Sequence, residues 1–100
     1  MAENKFSQYQ HHGKCDVCGK DGQVVVCCSA LGPFSFAYCE ECLNAKAEPY
    51  WFVVNTVAIC GEWPNDVNEA YQKVIRDILK YLNKSEEEFK EDVRRASYDM

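Results

Sequence analysis

Residues 15–42, CDVCGKDGQVVVCCSALGPFSFAYCEEC, decide the fold of this protein. The stretch begins with Cys15-Asp16-Val17-Cys18 and ends with Cys39-Glu40-Glu41-Cys42, so two Cys-x2-Cys pairs enclose the twenty residues from 19 to 38. This spacing is typical of sites in which four thiolates bind one zinc ion. Two intervening residues let both sulfurs of a pair reach the same ion, and Gly19 permits a tight turn. We therefore predict one structural Zn²⁺ held by Cys15, Cys18, Cys39 and Cys42.

The predicted zinc is structural because four thiolates complete a tetrahedral shell and leave no position for water or a substrate. A Cys-x2-Cys pair can instead be a redox dithiol, but that role needs the pair at the start of a helix within a βαβ pattern. The sequence shows no such pattern. A thiol redox function is therefore the least favoured interpretation of the pairs.

Three further cysteines bring the total to seven, an odd number that cannot pair completely within one chain. Cys27 and Cys28 are adjacent in a predicted strand, where neighbouring side chains face opposite sides, so at most one of them can approach the metal. We interpret both, and Cys60, as small buried hydrophobic residues. His12, three residues before Cys15, and Cys28 stay open as alternatives for one of the four ligand positions.

A β-hairpin is predicted between the two cysteine pairs. The β-branched run within residues 23–28 indicates one strand, and the alternation of Phe34, Phe36 and Tyr38 with small residues indicates a second. The intervening Ser29-Ala30-Leu31-Gly32-Pro33 has the composition of a turn. The hairpin would carry the second pair back to the first.

The order of a cysteine knuckle, a hairpin and a second pair that opens a helix resembles the treble-clef class of zinc finger over about residues 14–48. The resemblance implies that the four cysteines are the ligands, and it implies little about function. Treble-clef nucleases carry histidines in and after the hairpin, whereas this sequence has none after His12. A short acidic zinc protein with a helical tail also resembles small uncharacterised proteins of bacteria and their phages.

The second half of the sequence predicts three helices. Pro49 suits the first turn of an apolar helix that ends at Cys60 before Gly61, and we expect that helix to be buried on every side. Apolar residues recur at helical spacing over Asp66–Leu82. Ser85 and Glu88 form a capping-box pattern that begins the last helix, and Arg94 and Arg95 suit its final turn.

These elements predict an α+β fold, with a zinc-stabilised β-hairpin module followed by about three helices. We expect one domain over residues 1–100, comprising a flexible lead-in (1–13), a zinc module (14–48) and a helical part (49–100). The first residues lack the apolar core of a secretory signal, which favours the reducing cytoplasm. The longest apolar stretch is too short for a membrane helix, so we expect no membrane partner.

The net charge of −5 disfavours nucleic acid as the partner. No pattern of catalytic residues is evident, so we expect no enzyme activity. We predict a protein–protein interaction module, either an adaptor or an inhibitor, with Tyr50, Trp51, Phe52 and Trp63 as candidate binding residues and a homodimer as one form of association. The alternative is a regulatory nucleic-acid-binding zinc finger that uses Lys14, Lys20 and the histidines.

Overall fold

The computed structural model describes residues 11–98. Three antiparallel strands form one sheet in the order β1-β2-β3, namely β1 (His11–Lys14), β2 (Asp21–Cys28) and β3 (Ser35–Cys39). Four helices follow within these residues, namely α1 (Glu40–Asn44), α2 (Tyr50–Cys60), α3 (Glu69–Tyr81) and α4 (Glu86–Tyr98). The predicted α+β class is confirmed. The chain divides into two compact units, the first ending at Pro49 and the second beginning at Tyr50.

The β2–β3 hairpin has the predicted position. Its register pairs Val24 with Cys39 at one end and Cys28 with Ser35 at the other. The Ser29 amide donates a hydrogen bond to the Phe34 carbonyl at 2.7 Å and closes the connecting loop. In the middle of β2, the side chains of Val24 and Val25 are both buried, as expected of β-branched residues in a central strand.

The flexible lead-in predicted for residues 1–13 extends too far along the chain, because a strand begins at His11. His11, His12 and Gly13 belong to β1, which pairs with β2 from His11 opposite Val24 to Lys14 opposite Asp21. Residues 1–10 of the predicted lead-in lie outside the described residues. The ladder to β2 explains this strand, because the side chains of His-His-Gly-Lys are mostly exposed and supply little burial of their own.

The core of the first unit covers both faces of β2. On one face Val24 packs with Cys15, Cys42 and Ala47. On the other, Val25 lies opposite Tyr38 in the ladder, and the Tyr38 hydroxyl donates a 2.6 Å hydrogen bond to the buried carboxylate of Glu48.

In the second unit α2 packs against α4. The edge of the buried Trp63 ring meets Phe89 at 5.1 Å between ring centroids, and the Trp63 indole N–H donates to Glu86 at 3.2 Å. Arg76 lies over the same indole at 5.4 Å and donates to Glu86 at 2.8 Å. A buried tryptophan needs a partner for its N–H, and this carboxylate supplies it.

Two predictions about the helices need correction. Helix α2 is not buried on every side, because Trp51 is 58% and Ile59 is 75% exposed. Helix α3 begins at Glu69 and not near Asp66, since the Asn68 side chain caps it by accepting from the Ala70 amide at 2.8 Å. The capping role of Ser85 is confirmed, because its hydroxyl accepts from the Glu88 amide at 3.1 Å.

Candidate metal centre

The four predicted ligands come together at one end of the sheet. Cys15 directly follows β1, Cys18 lies in the turn before β2, Cys39 ends β3, and Cys42 lies in α1. Their sulfur atoms all lie within 4.8 Å of one another. The Sγ atoms of Cys18 and Cys39, one from each pair, are 3.8 Å apart.

A tight turn shapes the first pair. The Cys15 amide donates to the Lys20 carbonyl at 2.9 Å, and the Gly19 amide donates to the Cys15 carbonyl at 2.9 Å. Gly19 has a φ of 80°, in the left-handed region that favours glycine. No atom lies within 4 Å of a Cβ added there, so backbone conformation and not space selects glycine at this position.

A helix start shapes the second pair. Cys39 is the N-cap of α1 with extended backbone angles, and its sulfur accepts from the Cys42 amide at 3.5 Å. One helical turn then places Cys42 beside Cys39. Glu40 and Glu41 occupy the first turn of α1, where negative charge is favourable next to the helix N-terminus.

Hydrogen bonds between the two pairs hold them together. The Asp16 amide donates to the Ala37 carbonyl at 2.8 Å, and the Ala37 amide donates to Asp16 Oδ2 at 2.8 Å. The Cys39 amide donates to the sulfur of Cys15 at 3.3 Å. The first knuckle is therefore held against β3 by hydrogen bonds of the protein, in addition to any metal.

The surroundings of Cys15 favour a thiolate. Burial alone raises the pKa of this thiol, but hydrogen bonds from the backbone amides of Cys18, Cys39 and Val17 outweigh burial and lower the pKa to about 7. Burial raises the pKa of the Cys18 thiol. Because the thiolate is the form that binds a metal, Cys15 is the cysteine of this pair most ready to bind one.

The cluster fits one tetrahedral ion that prefers sulfur. With metal–sulfur bonds of about 2.3 Å, the edge of such a tetrahedron is about 3.8 Å, which matches the separation of the Cys18 and Cys39 sulfurs. Cys15 and Cys42 are buried, whereas Cys18 is exposed and Cys39 is intermediate. An all-thiolate donor set suits zinc or iron and does not suit magnesium or calcium.

The alternative ligands lie outside this group. Neither His12 nor Cys28 belongs to the group of potential metal ligands formed by the described residues. His12 is exposed in β1 opposite Gln23. Cys28 is paired with Ser35 at the far end of β2, where its sulfur lies 3.8 Å from the Ser35 hydroxyl. Cys60 is exposed at the end of α2, which corrects its interpretation as a buried residue, and Cys28 is likewise exposed.

The four aromatic candidates for partner binding have different surroundings, all within the second unit. Phe52 and Trp63 are buried, at 5% and 2% exposure. Tyr50 is half-buried, donates its hydroxyl proton to Asp92, and stands edge-on to Phe89. Trp51 is the exposed member, and its ring contacts Phe52 at 5.9 Å between centroids.

Two polar residues of the first unit were not identified from the sequence. Asp16 has no signal for its contact, because its carboxylate accepts from the Ala37 amide, 21 residues further along the chain. Glu48 has none either, since a glutamate that follows a polar loop is usually exposed and only the fold shows it buried against Tyr38.

Helices within residues 11–98 are all too short or too polar to span a bilayer. Comparison of the whole chain with protein-family models, with curated proteins and with solved structures finds no match.

Proposed function

We propose that this protein is a small zinc-binding module that interacts with another protein and has no catalytic activity of its own. The observation that supports zinc binding is the group of four cysteine sulfurs within 4.8 Å of one another. A bound zinc ion would supply a cross-link between the knuckle after β1 and the junction of β3 with α1. Cys15, Cys18, Cys39 and Cys42 would hold it.

The donor set supports a structural metal in particular. Four thiolates fill a tetrahedral shell, whereas catalytic zinc sites keep one position for water or substrate. The buried cysteines, Cys15 and Cys42, lie in an apolar cluster with Val24 and Ala47, which suits a site that only stabilises the fold. This chemistry supports the proposal that the metal itself takes no part in catalysis.

The surface proposed for the partner is the outward face of α2. Trp51, Asn55 and Ile59 are spaced by four residues and are all exposed, and we name them the Trp51 surface. Tryptophan is enriched among the residues that dominate binding energy at protein interfaces. A partner protein that covered this face would remove two large apolar side chains from water. An adaptor and an inhibitor would both use such a surface.

A matched pair of variants tests this surface. We expect Trp51→Ala to leave the melting temperature nearly unchanged and to weaken capture of the partner by about 2 kcal/mol or more, because an exposed anchor acts mainly in binding. Phe52→Ala is the control, and it should cost about 3–5 kcal/mol of folding stability because Phe52 is buried. Proteins captured from the host by each variant would be compared by mass spectrometry.

Retention of every captured protein by both Trp51→Ala and Ile59→Ala would reject the Trp51 surface. The nucleic-acid alternative is tested by titrating duplex DNA at increasing salt, since a site that reads phosphates weakens steeply as salt rises. Lys20, one of its candidate residues, lies 3.9 Å from Glu41. We expect no measurable duplex binding.

A further inference from the structure

Helix α3 carries an exposed strip that its own unit does not bury. The helix buries Ile75, Ile78 and Leu79. Beside them, four exposed residues follow one another along the helix at spacings of four, three and four, and we name them the α3 strip: Ala70, Val74, Asp77 and Tyr81. Val74 is 41% and Tyr81 is 39% exposed, so both leave substantial apolar area in water. Spacings of three and four are those of a helix–helix seam.

Four charges on this side of α3 alternate in sign along the helix, while Arg76, between Lys73 and Asp77, is bound to Glu86. Glu69, Lys73, Asp77 and Lys80 follow one another in that order, and all four are exposed. The pattern is symmetric about the level of Ile75, because Glu69 and Lys80 lie at nearly equal distances on either side of it, as do Lys73 and Asp77. Each acidic residue therefore has a basic residue as its mirror position.

This symmetry fits a second copy of the same chain. In an antiparallel pair of α3 helices related by a two-fold axis, Glu69 of one copy lies opposite Lys80 of the other, and Lys73 lies opposite Asp77. The small Ala70 then faces the large Tyr81. In a parallel pair related by a two-fold axis, the charged flanks of the two copies lie on opposite sides of the seam, so these opposite charges do not meet. We propose that two copies of this protein associate through the α3 strip in the antiparallel orientation.

The strip is short, so the association is weak and depends on concentration. A helix of this length extends over only about 20 Å. Lys73 and Asp77 also pair with each other within one copy, at 3.5 Å and with side chains 82% and 68% accessible, so the pairs between copies compete with this exposed pair. Exposed pairs lose strength as salt rises. The dimer should therefore be more populated at low salt than at high salt. The α3 strip lies on a different helix from the Trp51 surface, so the proposal of self-association and the proposal of a partner site can fail independently.

Charge reversal at Lys73 and Asp77 tests the proposal in the zinc-loaded full-length protein. The wild type should dimerise in sedimentation equilibrium between about 10 μM and about 1 mM, the range of weak complexes. Lys73→Glu and Asp77→Lys should each weaken self-association by about tenfold or more, because each replaces two symmetric attractions by repulsions. An equimolar mixture of the two variants should recover association, since Glu at 73 then faces Lys at 77 and Asp77 faces Lys73.

The double variant K73E/D77K is the matched control and should dimerise like the wild type, because it exchanges the charges and keeps their complementarity. Circular dichroism of each variant checks that the helices are intact. The proposal is wrong if the wild type stays monomeric throughout the concentration range, or if the single reversals associate as well as the wild type. It is also wrong if neither the mixture nor the double variant recovers association.

Discussion

The sulfurs of Cys15 and Cys39 each accept a hydrogen bond from a backbone amide, at 3.3 Å from Cys39 and at 3.5 Å from Cys42 respectively. Both sulfurs belong to the group of four potential metal ligands. The exposed Cys60, in contrast, lies at the end of α2 and outside this group. The two kinds of cysteine should therefore respond differently to the same substitution.

We expect Cys39→Ser to abolish tight zinc binding and to unfold the first unit, because Cys39 is a proposed ligand. Serine can still cap α1, so the effect reports the metal and not the cap. Structural zinc contributes on the order of 10–16 kcal/mol in small zinc domains, which no other interaction in this unit can replace. Elemental analysis of the purified protein would measure the metal, with one zinc per chain expected for the wild type.

Cys60→Ser is the control for this substitution, and it should keep the full zinc content and the wild-type melting curve. Cys28→Ala should do the same, because its sulfur lies beside Ser35 and outside the cysteine cluster. Loss of zinc in Cys28→Ala would show that the ligand set differs from the one proposed.

Tyr38 and Glu48 form a second polar site whose role is to stabilise the first unit. Glu48 Oε1 accepts from the Tyr38 hydroxyl at 2.6 Å, and Oε2 accepts from the Ala30 amide at 3.3 Å. Burial and the bond to Glu48 raise the pKa of Tyr38 well above its ordinary value of 10.0. Ionisation of Tyr38 would put two negative charges next to each other in a buried place.

Tyr38→Phe should destabilise the first unit by about 1–3 kcal/mol at neutral pH, because the buried Glu48 carboxylate loses its hydroxyl donor. The pH dependence has a definite sign. The pKa of Tyr38 is higher in the folded state, so its contribution is complete below pH 10 and is lost progressively as pH rises above that value. The free energy of unfolding is measured with denaturant at a series of pH values for the wild type and for Tyr38→Phe. The difference between the two at each pH isolates this contribution. A difference that stays constant up to pH 12 would contradict it.

At the scale of elements, periodicity and capping residues predict the helices well and predict β1 poorly. The α3 pattern and the Ser85 cap are local properties, so the sequence alone identifies both helices. Strand β1 depends on its ladder to β2, and the first three residues, His-His-Gly, have no periodicity of their own. The exposure of Trp51 and Ile59 depends on which neighbours cover α2, and that information is absent from α2 itself.

The metal ligands could be predicted from the sequence because a spacing of two residues brings both sulfurs of a pair to one side of a turn. The bonds from Asp16 to Ala37 and from Tyr38 to Glu48 could not, since they join residues whose proximity depends on the fold. The aromatic candidates show the same limit. The four candidate aromatics look equivalent in the sequence. In the structure, however, Trp63 is buried against Phe89, whereas Trp51 is exposed.

The cap of α4 gives a prediction at this scale. Ser85→Ala should lower the free energy of unfolding of the second unit by about 1 kcal/mol, because the Glu88 amide loses its acceptor. Ser97→Ala, at an exposed position near the other end of the same helix, is the control and should change stability much less. Thermal unfolding followed at 222 nm compares them. Equal effects of the two substitutions would contradict a capping role for Ser85.

At the scale of the whole molecule, each of the two units has buried residues of its own, and only the first contains the cysteine cluster. The second unit contains both tryptophans of the chain, including the buried Trp63. Its helices α2 and α4 are joined by apolar packing and by the hydrogen bond from Tyr50 to Asp92, without any proposed metal ligand. Metal removal should therefore affect the two units unequally.

Removal of zinc by a strong chelator should unfold the first unit and leave most of the helical signal of the second. The metal contributes about as much free energy as the entire stability of a small domain. Tryptophan fluorescence reports the second unit, and amide exchange at Val24–Val26 reports the first. We expect rapid exchange in β2 with little change in the Trp63 emission. A red shift of that emission in step with β2 exchange would show that the units unfold together.

The hydrogen bonds between Asp16 and Ala37 also have a consequence for polymerisation. They occupy the outward-facing amide and carbonyl of Ala37, and the Cys39 amide is likewise taken by the Cys15 sulfur. These bonds leave few free backbone groups along β3 with which a further strand could pair. A sheet with one open edge stops growing once two copies have paired, whereas a sheet with two open edges can grow into a fibril. By keeping the knuckle against β3, zinc would keep this edge of the sheet from pairing with a strand of another copy.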